Sequence, residues 1–559
     1  MPSKRLMPLM SSAPKSTPVL QVLDTPELLA IILCFLKEHY VAETPTSESG
    51  TPRWRGKIVQ LTTVNTSFFR ASIDLLWEGV GSLQPFLAMV NPSSGSEASM
   101  ECDDGIGRDA WGRFELYASR VKVLTLDSYD FYPCWAIYMA MSSQRPYPLF
   151  PMLRELTFAS GDSMSLLVAM DSRPTVQNLR IALNPENVVA EAYEATAALT
   201  ASLVEHAEPL TTMDLDYPVD KGILRNVSKI SSLRHLTVHI RTGGAVEIAP
   251  LVNLASLRSL NLKVDNFEGD SEQGLLRRGV LSRMMAARTH PHLQDLTIAA
   301  PTGTQIAVAR ILGPVTLKSL QLTVCYSGSA QHSSQALSLA LTSYIGRNPN
   351  LKSLAVGSIC SFKHPQSTNR TADAIFDWSR EFCSRLSELR ELERLDLTGI
   401  LLPTPDFVRR VFDTLPSFPQ LRKFRLTPHP ASSYVEPWVL PKIEDLTQIP
   451  IHNPLLASLA MPVDSRSFIP PAAPVRTSES VQLLSLAFHP LLRNQMSHDS
   501  ALSVSLFLDQ LFPCIRSLTS NFPPASPHKA AWKPVKQMVD AYQLVRARAM
   551  QNAGLFSSP

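Results

Sequence analysis

The chain has 559 residues, of which 45% are hydrophobic, and its net charge at pH 7 is only +3. This length is ample for a large core, and the small charge, without a long basic block, argues against nucleic acid as the main partner. Seven cysteines without metal-ligand spacing and the lack of an export signal predict reduced thiols in a cytoplasmic or nuclear protein. Apolar runs are too short to cross a bilayer, so no membrane association is expected.

The first ninety residues are predicted to form a short tail followed by helices. Residues 1–18 contain four prolines and are predicted to be a disordered tail. A helix is expected to begin at Thr25 and Pro26, a hydroxyl cap followed by proline in the first turn. A polar loop at 37–57 and a second helical segment at 61–79 are predicted to follow.

From residue 121 onward a hydrophobic pattern, L-x-x-L-x-L, recurs along the chain. The shorter intervals between copies fit the leucine-rich-repeat period of about 20 to 29 residues. Each copy predicts a half-buried strand, because its last two apolar residues lie two apart and share one face. The first apolar residues of the fourteen copies are Val121, Leu153, Val176, Leu210, Leu233, Leu257, Leu293, Leu317, Leu351, Leu392, Leu421, Leu456, Val481 and Ile515.

Proline sets the boundary between one repeat and the next. In half of the copies it lies two residues before the first apolar residue, as Pro349 and Pro419 do. Because proline ends helices, it separates a helix from the strand that follows. Strands that return through helices are parallel. The Asn or Cys that usually follows the strand in leucine-rich repeats is mostly missing, which predicts irregular repeats.

The predicted fold class is therefore α/β, with a helical domain followed by an irregular solenoid. The solenoid is expected to carry parallel strands on its concave face and helices on its convex face. The predicted divisions are a tail at 1–18, a helical domain at 19–90, a linker or capping segment at 91–118, the solenoid at 119–522 and a C-terminal tail with a helix at 523–559.

Three stretches of the helical domain carry a recognisable pattern. Residues 23–36, LDTPELLAIILCFL, match an opening P-E-L-L-x-x-I-x-x-x-L motif. Residues 61–69, LTTVNTSFF, are similar to a V-C-x-x-W segment, and 71–77, ASIDLLW, to a closing Leu-Trp. In this order, and followed by leucine-rich repeats, the stretches resemble the F-box/leucine-rich-repeat proteins of fungi.

The resemblance implies a role rather than a reaction. F-box proteins dock a Skp-type adaptor of a cullin-RING ubiquitin ligase, and their repeats capture the protein to be ubiquitinated. The chain would then be a non-catalytic substrate-recognition subunit of an SCF-type ligase, with no cofactor and no metal. The positions that match the family's docking surface are Pro26, Leu28, Ile32, Leu36, Val64 and Phe68.

Substrate binding is expected on the concave face, at strand residues that alternate with the core. In parallel strands about 4.8 Å apart these residues would align as two charged patches, which favour charged partners. The first patch, acidic with imidazoles, is predicted to contain Asp214, Asp216, His235, His239, Asn261 and Lys263. The second, mainly basic patch is predicted to contain Arg394, Asp396, Lys423 and Arg425.

Two other functional classes stay open. The main alternative is a ligase-independent repeat scaffold whose N-terminal helices only cap the array. A solenoid hydrolase would use Asp214 and Asp216 as a carboxylate pair, but helical spacers are unlike a β-helix enzyme. The sequence has no serine-hydrolase, zinc-protease or phosphate-loop motif. His235 and His239 alone make an incomplete metal site.

Overall fold

The chain divides into two compact units, Met1–Leu210 and Thr211–Pro559. This division falls inside the predicted solenoid. The predicted tail 1–18, the linker residues 91–106 and the loop residues 44–52 lie outside the described residues. The computed structural model describes residues 25–43, 53–90, 107–126, 148–158, 168, 171, 175–183, 190–206, 209–242, 248–266, 292–312, 315–326, 340–360, 379–400, 402, 404–428, 438–464, 468, 485–488, 498–515, 517–520 and 527–552.

The first unit combines helices with a small parallel sheet. Its helices are α1 (Pro26–Glu43), α2 (Arg53–Thr62), α3 (Thr66–Glu78), α4 (Gln84–Val90), α5 (Arg108–Ala118) and α6 (Ala190–His206). Its strands are β1 (Gly79–Val80), β2 (Val123–Leu126), β3 (Glu155–Phe158) and β4 (Asn178–Ile181). The strands pair in parallel and in chain order from β1 to β4.

The second unit is one parallel sheet whose strands also follow chain order. The strands are β5 (Thr212–Val219), β6 (His235–Thr242), β7 (Ser259–Asn266), β8 (Asp295–Ala300), β9 (Ser319–Tyr326), β10 (Ser353–Cys360), β11 (Arg394–Ile400), β12 (Lys423–Pro428), β13 (Ser458–Met461), β14 (Ser485–Phe488) and β15 (Ser517–Ser520).

Helices connect many of these strands. The α-helices of the second unit are α7 (Lys221–Val227), α8 (Thr302–Ile311), α9 (Ser379–Leu386), α10 (Phe407–Thr414), α11 (Gln448–His452), α12 (His498–Leu511) and α13 (Pro527–Asn552). Residues 340–347 are also helical. Shorter 3₁₀ turns lie at Ala249–Asn253, Leu415–Ser417 and Ile443–Thr447. Among the helices that the structure describes, none is both long and apolar enough to cross a membrane.

The predicted strand phase is confirmed in thirteen of the fourteen copies. In each of these, a strand begins two residues after the first apolar residue of the pattern. Leu260 and Leu262 of β7 show the expected alternation, because both are buried while Asn261 between them is exposed. The α/β class and the parallel pairing of strands within each unit are therefore confirmed.

The copy assigned to Val481 is wrong by two residues. Strand β14 begins at Ser485, so Leu486 and Phe488 take the paired apolar positions of the pattern. Residues 481–486 and residues 483–488 both fit the L-x-x-L-x-L pattern. Hydrophobicity alone does not decide which of the two copies forms the strand. The two-residue strand β1 was also missed, because it is too short to show alternation.

A ladder of backbone hydrogen bonds fixes the turn into each strand. The carbonyl of the residue just before one strand accepts from two successive N–H groups of the next repeat. Lys318, for example, accepts from the amides of Lys352 at 2.8 Å and Ser353 at 3.0 Å. Lys352 accepts in turn from Glu393 and Arg394. The residues that precede the strands are therefore aligned as a column along one edge of the sheet.

Two buried asparagines join consecutive repeats, a role that hydrophobic periodicity does not predict. Asn453 is fully buried, and its Nδ2 donates to the carbonyls of Leu415 and Phe418, each at 2.8 Å. Asn348 is also buried, and its Oδ1 accepts a hydrogen bond from the amide of Leu317 at 2.9 Å. Both asparagines directly precede the proline that starts a new repeat. In both cases the asparagine lies three residues before the first apolar residue of the next repeat, Leu351 or Leu456. An Asn-Pro pair at this position is the sequence signal that could have predicted the role.

We expect Asn453→Asp to destabilise the second unit by about 3 kcal/mol or more. The substitution removes both donors and leaves two buried carbonyls facing a carboxylate. Loss of hydrogen-exchange protection at the amides of β12 and β13 measures the change. The matched control is Asn350→Asp, at an exposed position in another repeat, which should be nearly neutral. Equal stability of the two variants would contradict the bridging role of Asn453.

Candidate functional site

Helices α1, α2 and α3 pack around a small core of their own. Asn65 caps α3, because its side chain accepts a hydrogen bond from the amide of Phe68 at 2.8 Å. This cap satisfies an otherwise free N–H at the start of α3. The buried residues of the three-helix core are Leu29, Leu33, Trp54, Ile58, Ala71 and Leu75.

The predicted polar loop at 37–57 is wrong at both ends. Helix α1 continues to Glu43, and α2 begins at Arg53. Trp54 and Ile58 lie four residues apart, and both are buried in the three-helix core. Trp54 near the end of the stretch and Ile58 just after it were a weak sequence signal, but their burial stabilises this ten-residue helix.

Helix α1 also exposes a second apolar face, which we call the outer stripe. Its four residues are Leu28, Ile31, Ile32 and Phe35, with exposed fractions of 42%, 52%, 40% and 67%. Their spacing of three, four and seven residues places them along one side of the helix. The buried Leu29 and Leu33 lie on the adjacent side. A helix that is apolar on both sides is typical of one that is covered on both sides.

The six predicted adaptor-binding residues divide into two groups. Pro26, Leu28, Ile32 and Val64 are exposed. Leu36 and Phe68 are only partly exposed, because they pack against the three-helix core. The prediction omitted Ile31 and Phe35, although their helical spacing from Leu28 places them on the same side. Further exposed apolar residues of α2 and α3 are Val59 and Phe69.

Glu78 joins α3 both to α1 and to the residue before β2 through two ion pairs. Glu78, at the end of α3, lies 3.4 Å from Nζ of Lys37 in α1 and 3.2 Å from Nζ of Lys122. Burial alone would raise the pKa of Glu78, but the hydrogen bonds and charges of the two lysines outweigh it and lower the pKa. Because the folded pKa is lowered, these contacts stabilise the unit at neutral pH and are lost as the pH falls through that pKa.

The strand residues that alternate with the buried leucines lie on one face of the second unit's sheet, which we call the open face. The first predicted patch is only partly assembled on this face. Asp214 lies beside Thr237, which lies beside Asn261, in one row across β5, β6 and β7. His235 and Lys263 are exposed on the same strands. The register of β5 shifts between Leu215 and Pro218, so Asp216 is exposed on an irregular segment. Asp214 and Asp216 therefore do not form a regular carboxylate pair.

His239 is buried rather than open to a partner, which corrects the prediction for this residue. Its side chain is 9% exposed, and its Nε2 lies 2.7 Å from Oδ2 of Asp265. The shift in β5 places Pro218 next to His239, where the regular register would have placed Asp216. His239 is therefore held within the protein by Asp265. Among the described residues, no group of three His, Cys, Asp or Glu side chains is placed to hold a metal ion.

The four residues of the second predicted patch lie on two neighbouring strands. Arg394 of β11 lies beside Lys423 of β12, and Asp396 lies beside Arg425. Asp396 is a second correction, because it is buried. Nη2 of Arg394 lies 3.3 Å from Oδ2 of Asp396, and Thr398 donates to its other oxygen. The cations of Arg394 and Arg425 remain exposed, and Lys423 is half-buried.

The strands between the two patches carry uncharged outer residues except for Asp295 of β8, which is exposed on the same face. Thr297 of β8, Gln321 of β9 and Ala355 of β10 occupy one row between them. Four strand spacings separate β7 from β11, so the patches lie about 19 Å apart. This face presents two charged patches with a single acidic residue, Asp295, between them. Charged groups spread over such a distance fit a broad protein surface better than a small molecule.

No known protein-family model matches this sequence, and a search of the curated proteins finds no similar chain.

Proposed function

We propose that the chain is a substrate-recognition subunit of an SCF-type cullin-RING ubiquitin ligase, acting in the cytoplasm or nucleus. Helices α1, α2 and α3 dock a Skp-type adaptor, and the open face of the sheet binds the protein to be ubiquitinated. The chain itself is not catalytic, since transfer of ubiquitin belongs to other subunits.

The outer stripe is the observation that carries this proposal. Leu28, Ile31, Ile32 and Phe35 are four large apolar side chains on one side of a helix whose neighbouring side is already buried. Exposed apolar patches of this kind mark protein interfaces. The stripe coincides with the stretch that resembles the opening of an F-box, the part of that domain that binds the adaptor.

The cations of the second patch support binding of a protein substrate. Lys423 and Arg425 make no ion pair with any of the described residues, while Arg394 is partly neutralised by Asp396. Surface cations of this kind accelerate association with acidic partners and select among them. They lie on rigid paired strands, which hold a recognition surface in place.

Affinity purification of the full chain from cells treated with a proteasome inhibitor tests the proposal. We expect the wild type to retain an adaptor, a cullin and at least one captured protein. A Lys423→Gln, Arg425→Gln variant should keep the adaptor and cullin but lose the captured protein, because only the open face is altered. A Lys221→Gln, Lys229→Gln control, at exposed positions outside the open face, should retain all three.

The same purification distinguishes the two main functions. Captured proteins without adaptor or cullin would favour a ligase-independent scaffold and contradict the ligase proposal. Retention of every captured protein by the Lys423→Gln, Arg425→Gln variant would move substrate recognition away from the second patch.

A further inference from the structure

A column of basic residues lies along one edge of the second unit, outside the open face. We call it the leading edge, and it consists of the residues that directly precede β6 to β12. In chain order they are Arg234, Arg258, Gln294, Lys318, Lys352, Glu393 and Arg422. Five basic residues and one acidic residue give this column an excess charge of four, while the whole chain carries only +3.

The backbone ladder places these residues in register. The carbonyl of Arg234 accepts from the amides of Arg258 and Ser259, and the same bonds repeat from Lys318 to Lys352. Neighbouring members therefore follow the strand spacing of about 4.8 Å, and the column from β6 to β12 is about 29 Å long. The ladder uses only main-chain atoms, so the fold does not require a cation at these positions.

The charge of the leading edge is largely uncompensated. Lys352 pairs with Glu393, with 3.0 Å between Nζ and Oε1. Arg234, Arg258 and Lys318 are exposed and have no ion pair with any of the described residues. Like charges on neighbouring strands repel each other. Such an arrangement disfavours the free protein and is relieved when an anionic partner lies along the column.

We propose that the leading edge binds an extended acidic segment of another protein. An extended chain rises about 3.3 Å per residue, so roughly nine residues span the column. The interruption by Gln294 and Glu393 favours a peptide over a nucleic acid, because a peptide can place uncharged or basic residues there. A polyphosphate backbone has a charge at every step. This site is independent of the adaptor and does not rest on the ligase proposal.

Fluorescence anisotropy with the purified full chain tests this site. The probes are a labelled twelve-residue peptide of alternating Glu and Ser, a peptide of alternating Glu and Lys, and a twelve-nucleotide oligothymidine. We expect the Glu-Ser peptide to bind at least tenfold more tightly than either of the others at 0.1 M salt. Its affinity should fall as salt is raised, because exposed charges are screened.

Charge reversal then locates the binding site. Arg234→Glu, Arg258→Glu, Lys318→Glu should weaken binding of the Glu-Ser peptide at least tenfold. The matched control is Lys533→Glu, Lys536→Glu, Arg548→Glu, three exposed cations of α13 with the same total charge change, and it should bind like the wild type. A neutralised variant, with Gln at 234, 258 and 318, provides the same test if charge reversal disturbs folding.

Two results would overturn the proposal. Equal weakening by the leading-edge and α13 variants would show that net charge alone attracts the peptide. Tighter binding of the oligothymidine than of the Glu-Ser peptide would assign the leading edge to nucleic acid instead.

Discussion

Leu260→Asp is expected to destabilise the second unit by about 4 kcal/mol or more, because it buries an unpaired carboxylate. Leu260 is 1% exposed and lies in β7 between Leu236 of β6 and Leu296 of β8. In a repeat array each strand depends mainly on its neighbours, so the damage should spread to β6 and β8.

Hydrogen exchange measured by mass spectrometry is the appropriate readout, since a chain of two units does not unfold in one step. Amides of β6, β7 and β8 should lose protection in Leu260→Asp, whereas those of α1 to α3 should not. Asn261→Asp, one residue later and exposed, should leave protection unchanged. Wild-type protection of β7 in Leu260→Asp would show that Leu260 is not in the core.

The second large effect is expected at the outer stripe. Ile32→Asp combined with Phe35→Asp should weaken binding of a Skp-type adaptor at least a hundredfold, or about 2.7 kcal/mol, because apolar anchors dominate interfaces. Both side chains are exposed in the chain alone, so the variant should fold normally. Circular dichroism and thermal unfolding verify the fold, and a pull-down with purified adaptor measures binding.

The control for the outer stripe is Leu116→Asp combined with Met152→Asp. Both residues are exposed apolar side chains of the same unit, with exposed fractions of 43% and 45%, and neither belongs to α1, α2 or α3. This variant carries the same chemical change and should bind the adaptor like the wild type. If the two variants lose binding equally, the outer stripe is not the docking surface.

Much of the fold could be predicted because hydrophobic periodicity reports directly on burial. Leucines two apart on a strand must face the same way, and proline marks where a helix ends, so the strand phase was accessible from the sequence. Residues 481–488 around β14 show where this prediction fails, because closely spaced leucines fit the repeat pattern in more than one register.

The irregular positions were not accessible from the sequence. The shift between Leu215 and Pro218 buries His239, and strict alternation does not reveal such bulges. Strand β11 has a similar shift, at Gly399, whose positive φ of 68° favours glycine. Burial of Asp396 depends on contacts with Arg394 and Thr398, which a pattern of polar residues does not specify.

Calorimetric titration of the full chain with a purified Skp-type adaptor measures docking at the outer stripe. The outer stripe predicts a one-to-one complex with a dissociation constant below about 1 μM, that is, a binding free energy stronger than about −8 kcal/mol. The Ile32→Asp, Phe35→Asp variant should give no measurable heat under the same conditions. Absence of binding by the wild-type chain at about 100 μM adaptor, equivalent to weaker than about −5.5 kcal/mol, would contradict a role as an adaptor-bound ligase subunit.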